Sequence, residues 1–393
     1  YDPHGREIEE CVFDAAANPT KSASGYHRLT YRRDDQGNPV ETCLWDEAGQ
    51  RAPHVQGHAR LQKTFDARGN LVKEQLFDTQ GRPIVSSLGY ATFTATYDRW
   101  NNRVSEAYFD AENQPMLGHA GYHLLRERFD RGVVVESRYF GLDGKPINNG
   151  SGIARITRQY DARLNMLEEA TFDAAGKPVK YQGFEIETAE YDPRGNRLTT
   201  RYWNADRTPV LSDAGYFCER VVYDSLNHAI ATEVFDVNDQ PVLRVPEGYF
   251  KSTKQYNDQG HIIHARYFGT DNKPIRIQDG YAEFTNQYDP RGHFLSSSYY
   301  GTDGQPLRAQ VTIHEVVPNT PAANLGIETG DVILRFGDHP ITSAAEFNHR
   351  VKEIPLDQRI LLVERDGAQL EITLPDGATG FSCQDVIPKD EGS

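Results

Sequence analysis

The stretch Tyr191-Asp192-Pro193-Arg194-Gly195-Asn196-Arg197-Leu198 decides the fold class. Its Asp side chain suits the first position of a type I turn, Pro suits the second, and Gly accepts a positive φ. A loop of this kind joins the two strands of a hairpin. An aromatic residue followed by Asp recurs at Tyr1, Phe65, Tyr97, Phe129, Tyr160, Tyr191, Tyr223 and Tyr288, with Asn257 replacing the Asp after Tyr256. Arg33 holds the same phase with the aromatic lost. A second aromatic follows at Phe13, Trp45, Phe77, Phe109, Phe140, Phe172, Trp203, Phe235, Phe268 and Tyr300. Further on comes a Pro, as at Pro83, Pro178 and Pro241, and then Gly before a usually aromatic residue, as at Gly89-Tyr90 and Gly248-Tyr249. Four landmarks in fixed order mark ten units that fill residues 1–307. Periods of this length belong to repeat architectures.

Each unit reads as a β-hairpin plus a crossover. After the turn, apolar and polar residues alternate with a period of two, which is the signature of a strand with one buried face. One apolar column holds Val72 with Ile8, Val40, Val104, Leu167, Leu198, Ile230, Ile263 and Leu295. The other holds Leu76 with Val12, Leu44, Tyr108, Tyr139, Tyr202, Val234, Tyr267 and Tyr299. Both columns are expected to be buried. Phe77 and its equivalents fall on the polar parity, which a bulge or packing on the next layer would explain. Two strands per unit give about twenty strands, and open sheets rarely exceed about ten without curling. Neighbouring strands rotate by about 20–25°. The fold class is therefore mainly β: an elongated, spiralling β-hairpin repeat array over 1–307, followed by a smaller α+β domain. In their turn-and-strand half, 191–198 and the matching Tyr-Asp-Pro-Arg-Gly-His-Phe-Leu at 288–295 resemble the tyrosine–aspartate repeats of RHS-type bacterial proteins. That resemblance implies a coiled β-ribbon.

The balance of 42 Lys+Arg against 57 Asp+Glu leaves a net charge of −15. This argues against a basic nucleic-acid footprint and against docking on an anionic membrane. Hydrophobic residues make up 38% and the mean hydropathy is −0.66, which suits a thin core. No apolar run approaches the roughly 20 residues of a membrane-spanning helix. The chain starts at Tyr1, on a repeat landmark without a cap, as expected of a piece of a longer protein. The four cysteines include Cys11 and Cys43 in the same phase of adjacent units. Like strands separated by one strand lie about 9.6 Å apart, too far for a disulfide, so free thiols are expected unless like strands stack directly.

After Leu307 the pattern changes. Residues 311–375 read as strand, loop, strand, helix, strand, strand. Pro321-Ala322-Ala323, Leu325-Gly326-Ile327 and Gly330-Asp331-Val332-Ile333 are landmarks of a bacterial PDZ domain. The segment closely resembles those of HtrA-type and site-2-type proteases. The resemblance assigns 308–378 to the domain and leaves 379–393 as a polar C-terminal tail, expected to be mobile. It implies a groove for an extended peptide between the strand Val311–Val316 and a helix over 343–354. Val311 and Ile313 would line it from the strand, and Phe347 and Val351 from the helix. A Gly-hydrophobic-Gly carboxylate loop should precede the groove strand. Pro306-Leu307-Arg308-Ala309-Gln310 stands there instead, with Arg308 as the one candidate charge. The domain then serves as a peptide-recognition module or as a structural cap on the last repeat.

No nucleophile region of an HtrA protease, His-Glu-x-x-His pair, Walker loop or dinucleotide fingerprint occurs. The 13 His lack ligand spacing. The Asp-x-x-Gly turns offer oxygen ligands that calcium could use, but Asp more simply accepts from a turn amide. No cofactor or metal is expected. The leading expectation is a non-enzymatic protein-binding scaffold: an acidic, Tyr-rich repeat surface that can take a protein partner, plus a peptide-binding PDZ module. The alternative is the non-catalytic, substrate-recruiting region of a larger bacterial envelope or secreted enzyme such as a protease. The sequence itself leaves the compartment open, and the resemblances favour envelope or secretion over cytoplasm.

Overall fold

The computed structural model describes residues 1–14, 17–317, 320–355, 358–375 and 380–388. The fold is mainly β. Twenty strands, from Glu9–Cys11 to Pro306–Leu307, carry the repeats. Contacts divide the chain into two units: Tyr1–Ala189 with Tyr202–Thr208, and Glu190–Arg201 with Pro209–Ser393.

In the first unit, Arg60–Phe65 and Leu71–Phe77 form one typical hairpin. Asp66 builds its turn as expected. Its carboxylate accepts from the amides of Arg68 and Asn70 (both 2.9 Å) and from the Asn70 side chain (2.9 Å). The next unit is knitted on by Leu76 N–H to Ala91 C=O (2.9 Å) and Ala91 N–H to Phe109 C=O (2.9 Å). Ala91 is wholly buried, so the Gly-Tyr-x landmark marks a place where backbones approach closely.

The expected parity fails at one column. Thr64 pairs with Lys73 and Phe65 with Leu71, so Val72 is skipped as a β-bulge. The same skip occurs at Val104, Leu167, Ile230, Ile263 and Leu295. A bulged residue is turned out of the alternation, and this column is only half buried or exposed: Ile8 is 39% and Leu295 50% accessible. The Leu76 column is the real core, with Leu76 and Val234 at 0% and Leu44 at 1%. Phe77, on the opposite face, is covered by its cross-strand partner Arg60, whose guanidinium lies 4.1 Å from the ring centroid. Arg155 covers Phe172 in the same way at 4.0 Å. Packing by a stacked Arg, rather than a bulge at that end, accounts for the second aromatic.

The tyrosines are also largely internal. In the first unit Tyr90, Tyr108, Tyr122 and Tyr139 form a continuous ring contact series, with centroids 5.5, 5.8 and 5.0 Å apart. Buried Glu106 accepts from Tyr122 (2.6 Å) and Tyr108 (3.0 Å) and pairs with Arg103 (3.0 Å). The Tyr that opens a unit has its own role. Tyr97 donates to Leu71 C=O (3.1 Å) and Tyr160 to Val134 C=O (3.0 Å). The second unit repeats this with Tyr223 to Arg197, Tyr256 to Ala229 and Tyr288 to Ile262. The Tyr-rich surface expected from composition is thus mostly packing and hydrogen-bonding material. All four cysteines are free thiols.

In the second unit, the last repeats are followed by a six-stranded sheet. Its order is Ala368–Thr373, Ile360–Arg365, Val332–Phe336, Gln310–Val316, Phe381–Val386, with His339–Pro340 paired on Val332–Phe336. Helix α1 (Pro321–Asn324) and helix α2 (Ala344–Glu353) complete the domain. Ser343 caps α2 by accepting from the Glu346 amide (3.1 Å), and Glu346 accepts in return from the Thr342 amide (3.1 Å). Phe336, Ile313, Val311, Leu361 and Val363 form a dry core that Phe347 and Ile354 of the helix side close. The Gly330-Asp331 landmark has a physical cause. Asp331 is 1% exposed and holds Arg365 in a two-pronged ion pair (2.6 and 2.8 Å), a geometry that satisfies a buried carboxylate.

Candidate functional site

Strand addition needs an edge with unpaired backbone groups beside a helix. Gln310–Val316, the expected groove strand, is not an edge. It pairs with Val332–Phe336 on one side and with Phe381–Val386 on the other. Val311 and Ile313 are each 1% exposed within the core. Neither they nor their backbone can meet an added strand, which corrects the groove inferred from the sequence. The edge is Phe381–Val386, in the segment expected to be a polar, mobile tail. Phe381, Cys383 and Asp385 alternate with exposed Ser382 and Gln384, so the tail carries a strand pattern one residue per side. That short alternation was the available signal, and its polar composition masked it. The remainder of the expected tail, residue 379 and 389–393, and the domain end at 376–378 lie outside the described residues.

The hydrogen-bond parity of this edge follows from its neighbour. Ile313 N–H donates to Asp331 C=O (2.8 Å), and Ile313 C=O accepts from Gly330 N–H (2.8 Å), both on the side away from Phe381–Val386. Val311 shares that orientation. Their partners across the ladder, Cys383 and Asp385, form the non-bonded pairs, so their N–H and C=O groups point outward. Thr312 and Gln384 form the bonded pair. The edge thus offers two donors and two acceptors two residues apart, the spacing of a β-ladder.

Helix α2 flanks this edge. Phe347 packs on Phe381 at 5.6 Å and on Phe336 at 5.3 Å, and Val351 packs partly buried against the same core. Both therefore remain beside the groove, Phe347 chiefly as a wall of the core. The helix N-terminus is tied to the strand by Ala344 N–H donating to Asp385 Oδ1 (2.6 Å). Tyr299 of the last repeat donates to Asp385 Oδ2 (3.4 Å). Burial raises the Asp385 carboxyl above its ordinary range, against the lowering effect of these two donors. Burial likewise pushes the Cys383 thiol up to about 11, with the Asp385 charge adding to it. A thiol held this high is a packing group and a poor nucleophile at neutral pH.

Arg308 is exposed and lies just before Gln310, which pairs with Val386. That is the far end of the edge strand from Phe381, so Arg308 does not precede the groove. The residue that does is Gly380, with φ +79°. Its carbonyl accepts from Val317 N–H (2.8 Å), and a Cβ there would collide with Thr320. The loop expected before Val311–Val316 would have to precede Phe381–Val386 instead. Among the described residues, no group of three His, Cys, Asp or Glu is placed to hold a metal ion.

Residues 284–375 match the family profile of the PDZ domain, a span that begins within the strand Glu283–Tyr288 and includes the strand Phe294–Tyr300 of the last repeats. Over 68 residues the chain is 31% identical to the zinc metalloprotease RasP of Oceanobacillus iheyensis, which covers 17% of this chain and 16% of that protein. Among solved structures, the Tc holotoxin pore of Photorhabdus luminescens is similar over 88% of this chain and 17% of its own, at 12% identity and a TM-score of 0.35. An HtrA-type protease solved with a decapeptide is similar over 66% of this chain and 84% of its own, at 10% identity and a TM-score of 0.14. The chain thus spans less than a quarter of the metalloprotease and toxin chains it matches. It carries a PDZ domain preceded in sequence by an array of β-hairpin repeats.

Proposed function

We propose that this chain is a non-enzymatic protein-binding scaffold whose PDZ domain takes an extended peptide segment along Phe381–Val386. The observation that supports the reading is the outward pair of backbone groups at Cys383 and Asp385, on an edge flanked by α2. Main-chain hydrogen bonds supply affinity in this mode, and side-chain pockets supply selectivity. The repeats hold the domain through Tyr299 and offer a second surface for a protein partner. A second reading follows from the similarity to a zinc metalloprotease: the chain is the substrate-recruiting, non-catalytic region of a larger envelope or secreted enzyme.

A displayed peptide library screened against the whole chain tests the peptide binding that both readings share. Enrichment of extended apolar segments, abolished by Val351→Arg in a protein that still folds, is the expected result. Absence of enrichment would reduce the PDZ domain to a cap on the last repeat. Release of fragments from labelled casein by the purified chain would overturn its assignment as non-enzymatic.

A further inference from the structure

A second recognition feature lies where the last repeat meets the PDZ domain within the second unit. A cavity of about 690 Å³ opens there, lined by Tyr281, Phe294 and Tyr299 of the repeat, by Asp279, and by Gln384 and Asp385 of the edge strand. Three aromatic rings and two carboxylates face it, and among the described residues that line it there is neither Lys nor Arg. The rings of Tyr281 and Tyr299 pack 4.9 Å apart at 48°, which fixes their faces, and Phe294 is 44% exposed. Asp279 is exposed at the rim.

We propose that this cavity binds a cationic side chain, the guanidinium of Arg or the ammonium of Lys, presented by a partner protein. Aromatic faces carry negative quadrupole charge and attract a cation within about 6 Å of the ring centroid. Asp279 adds charge of the right sign, and the net charge of −15 favours a basic partner over an acidic one. A neutral apolar side chain would bury itself against the rings but leave the Asp279 carboxylate uncompensated. An anion would meet only repulsion. The chain already uses the same contact internally, with Arg51 4.0 Å from the Trp45 centroid and Arg220 4.1 Å from that of Phe235. In those repeats the cation is built in; the described lining of the junction cavity supplies none. This site does not depend on strand addition at Cys383 and Asp385, and each can fail alone.

The test is calorimetric titration of the whole chain at low salt with acetyl-Gly-Arg-Gly-amide and with its citrulline counterpart, which keeps the shape and removes the charge. The Arg peptide should bind at least about fivefold more tightly, as one cation–π contact with a carboxylate implies. Asp279→Asn should weaken the Arg peptide alone, and Phe294→Ala should weaken both. Because Asp279 is exposed, its variant folds, and a matching denaturation midpoint confirms it. Equal binding of the two peptides, no effect of Asp279→Asn, or no binding of either up to about 10 mM would overturn the proposal. Cys383→Pro, which blocks the neighbouring strand edge, should leave the Arg peptide unaffected.

Discussion

The parity of the edge strand makes a sharp prediction. Cys383 points its N–H outward, whereas Gln384 exchanges hydrogen bonds with Thr312. Proline removes the N–H at either position with opposite consequences. At Gln384 the carbonyl of Thr312 loses its donor inside the sheet, which costs about 1–3 kcal/mol. At Cys383 no ladder bond is lost; the cost is the half-buried thiol's packing, about 1 kcal/mol for one heavy atom. Cys383→Ala serves as the reference for that packing. Binding should respond the other way: Cys383→Pro removes a donor that an added strand needs, a loss of at least about fivefold in affinity. Urea midpoints and fluorescence anisotropy with a library-selected peptide measure the two effects. The reasoning is refuted if Cys383→Pro destabilises as much as Gln384→Pro, or if it folds like Cys383→Ala and binds the peptide as tightly.

Two further outcomes follow from the repeats. Leu76→Ala should cost about 2–5 kcal/mol by urea unfolding, whereas Val72→Ala, at the bulge, should cost less than about 1 kcal/mol; equal losses would contradict the register. The side chain and backbone amide of Asn70 hold Asp66 down to about 2, so its contribution is present above the ordinary carboxylate pKa of about 3.9 and is lost as pH falls through about 2. Asp66→Asn should therefore lower the midpoint at pH 7, with the difference shrinking steadily as pH falls toward about 2, and a constant difference across that range would rule out the linkage.

Much of this architecture is legible in residues. The ten units, the Asp-capped turns and the PDZ landmarks follow from local chemistry: a carboxylate near two amides, a Gly with positive φ, a Pro that cannot donate. Asp192 accepts from the amides of Arg194 and Asn196, as the motif implies, and Gly195 sits at φ +89°. What a period-two pattern does not reveal is where it breaks. Val72 looks like a core residue because it is apolar and in phase with Leu76, yet the bulge is a property of the pairing between two strands. The same holds for Phe77, whose cover is Arg60 on the partner strand. The opening Tyr could be recognised as a turn marker but not as a donor to a carbonyl 26 residues earlier.

The groove was misplaced for a related reason. The landmarks Pro321-Ala322-Ala323 and Gly330-Asp331 identify the domain but say nothing about which strand ends the sheet. A strand is an edge only by what fails to pair with it, and Gln310–Val316 loses that status because six residues beyond the closing hairpin return to it. Only Ser382, Gln384 and Asp385 of these six are polar, but the 379–393 segment around them is, so composition files them as tail. Their position has a functional consequence. The groove strand leaves the sheet at Val386 and runs directly into Ile387, which is buried and would touch a Cβ placed on Gly280 of the last repeats. Asp385, one residue earlier, joins the α2 N-terminus to Tyr299. The edge strand proposed to take a ligand, the helix that flanks it and the end of the repeat array therefore share one carboxylate. A partner engaging this edge would do so on a surface whose position the last repeat fixes, so the proposed peptide site and the aromatic cavity beside it involve the junction and not the PDZ domain alone.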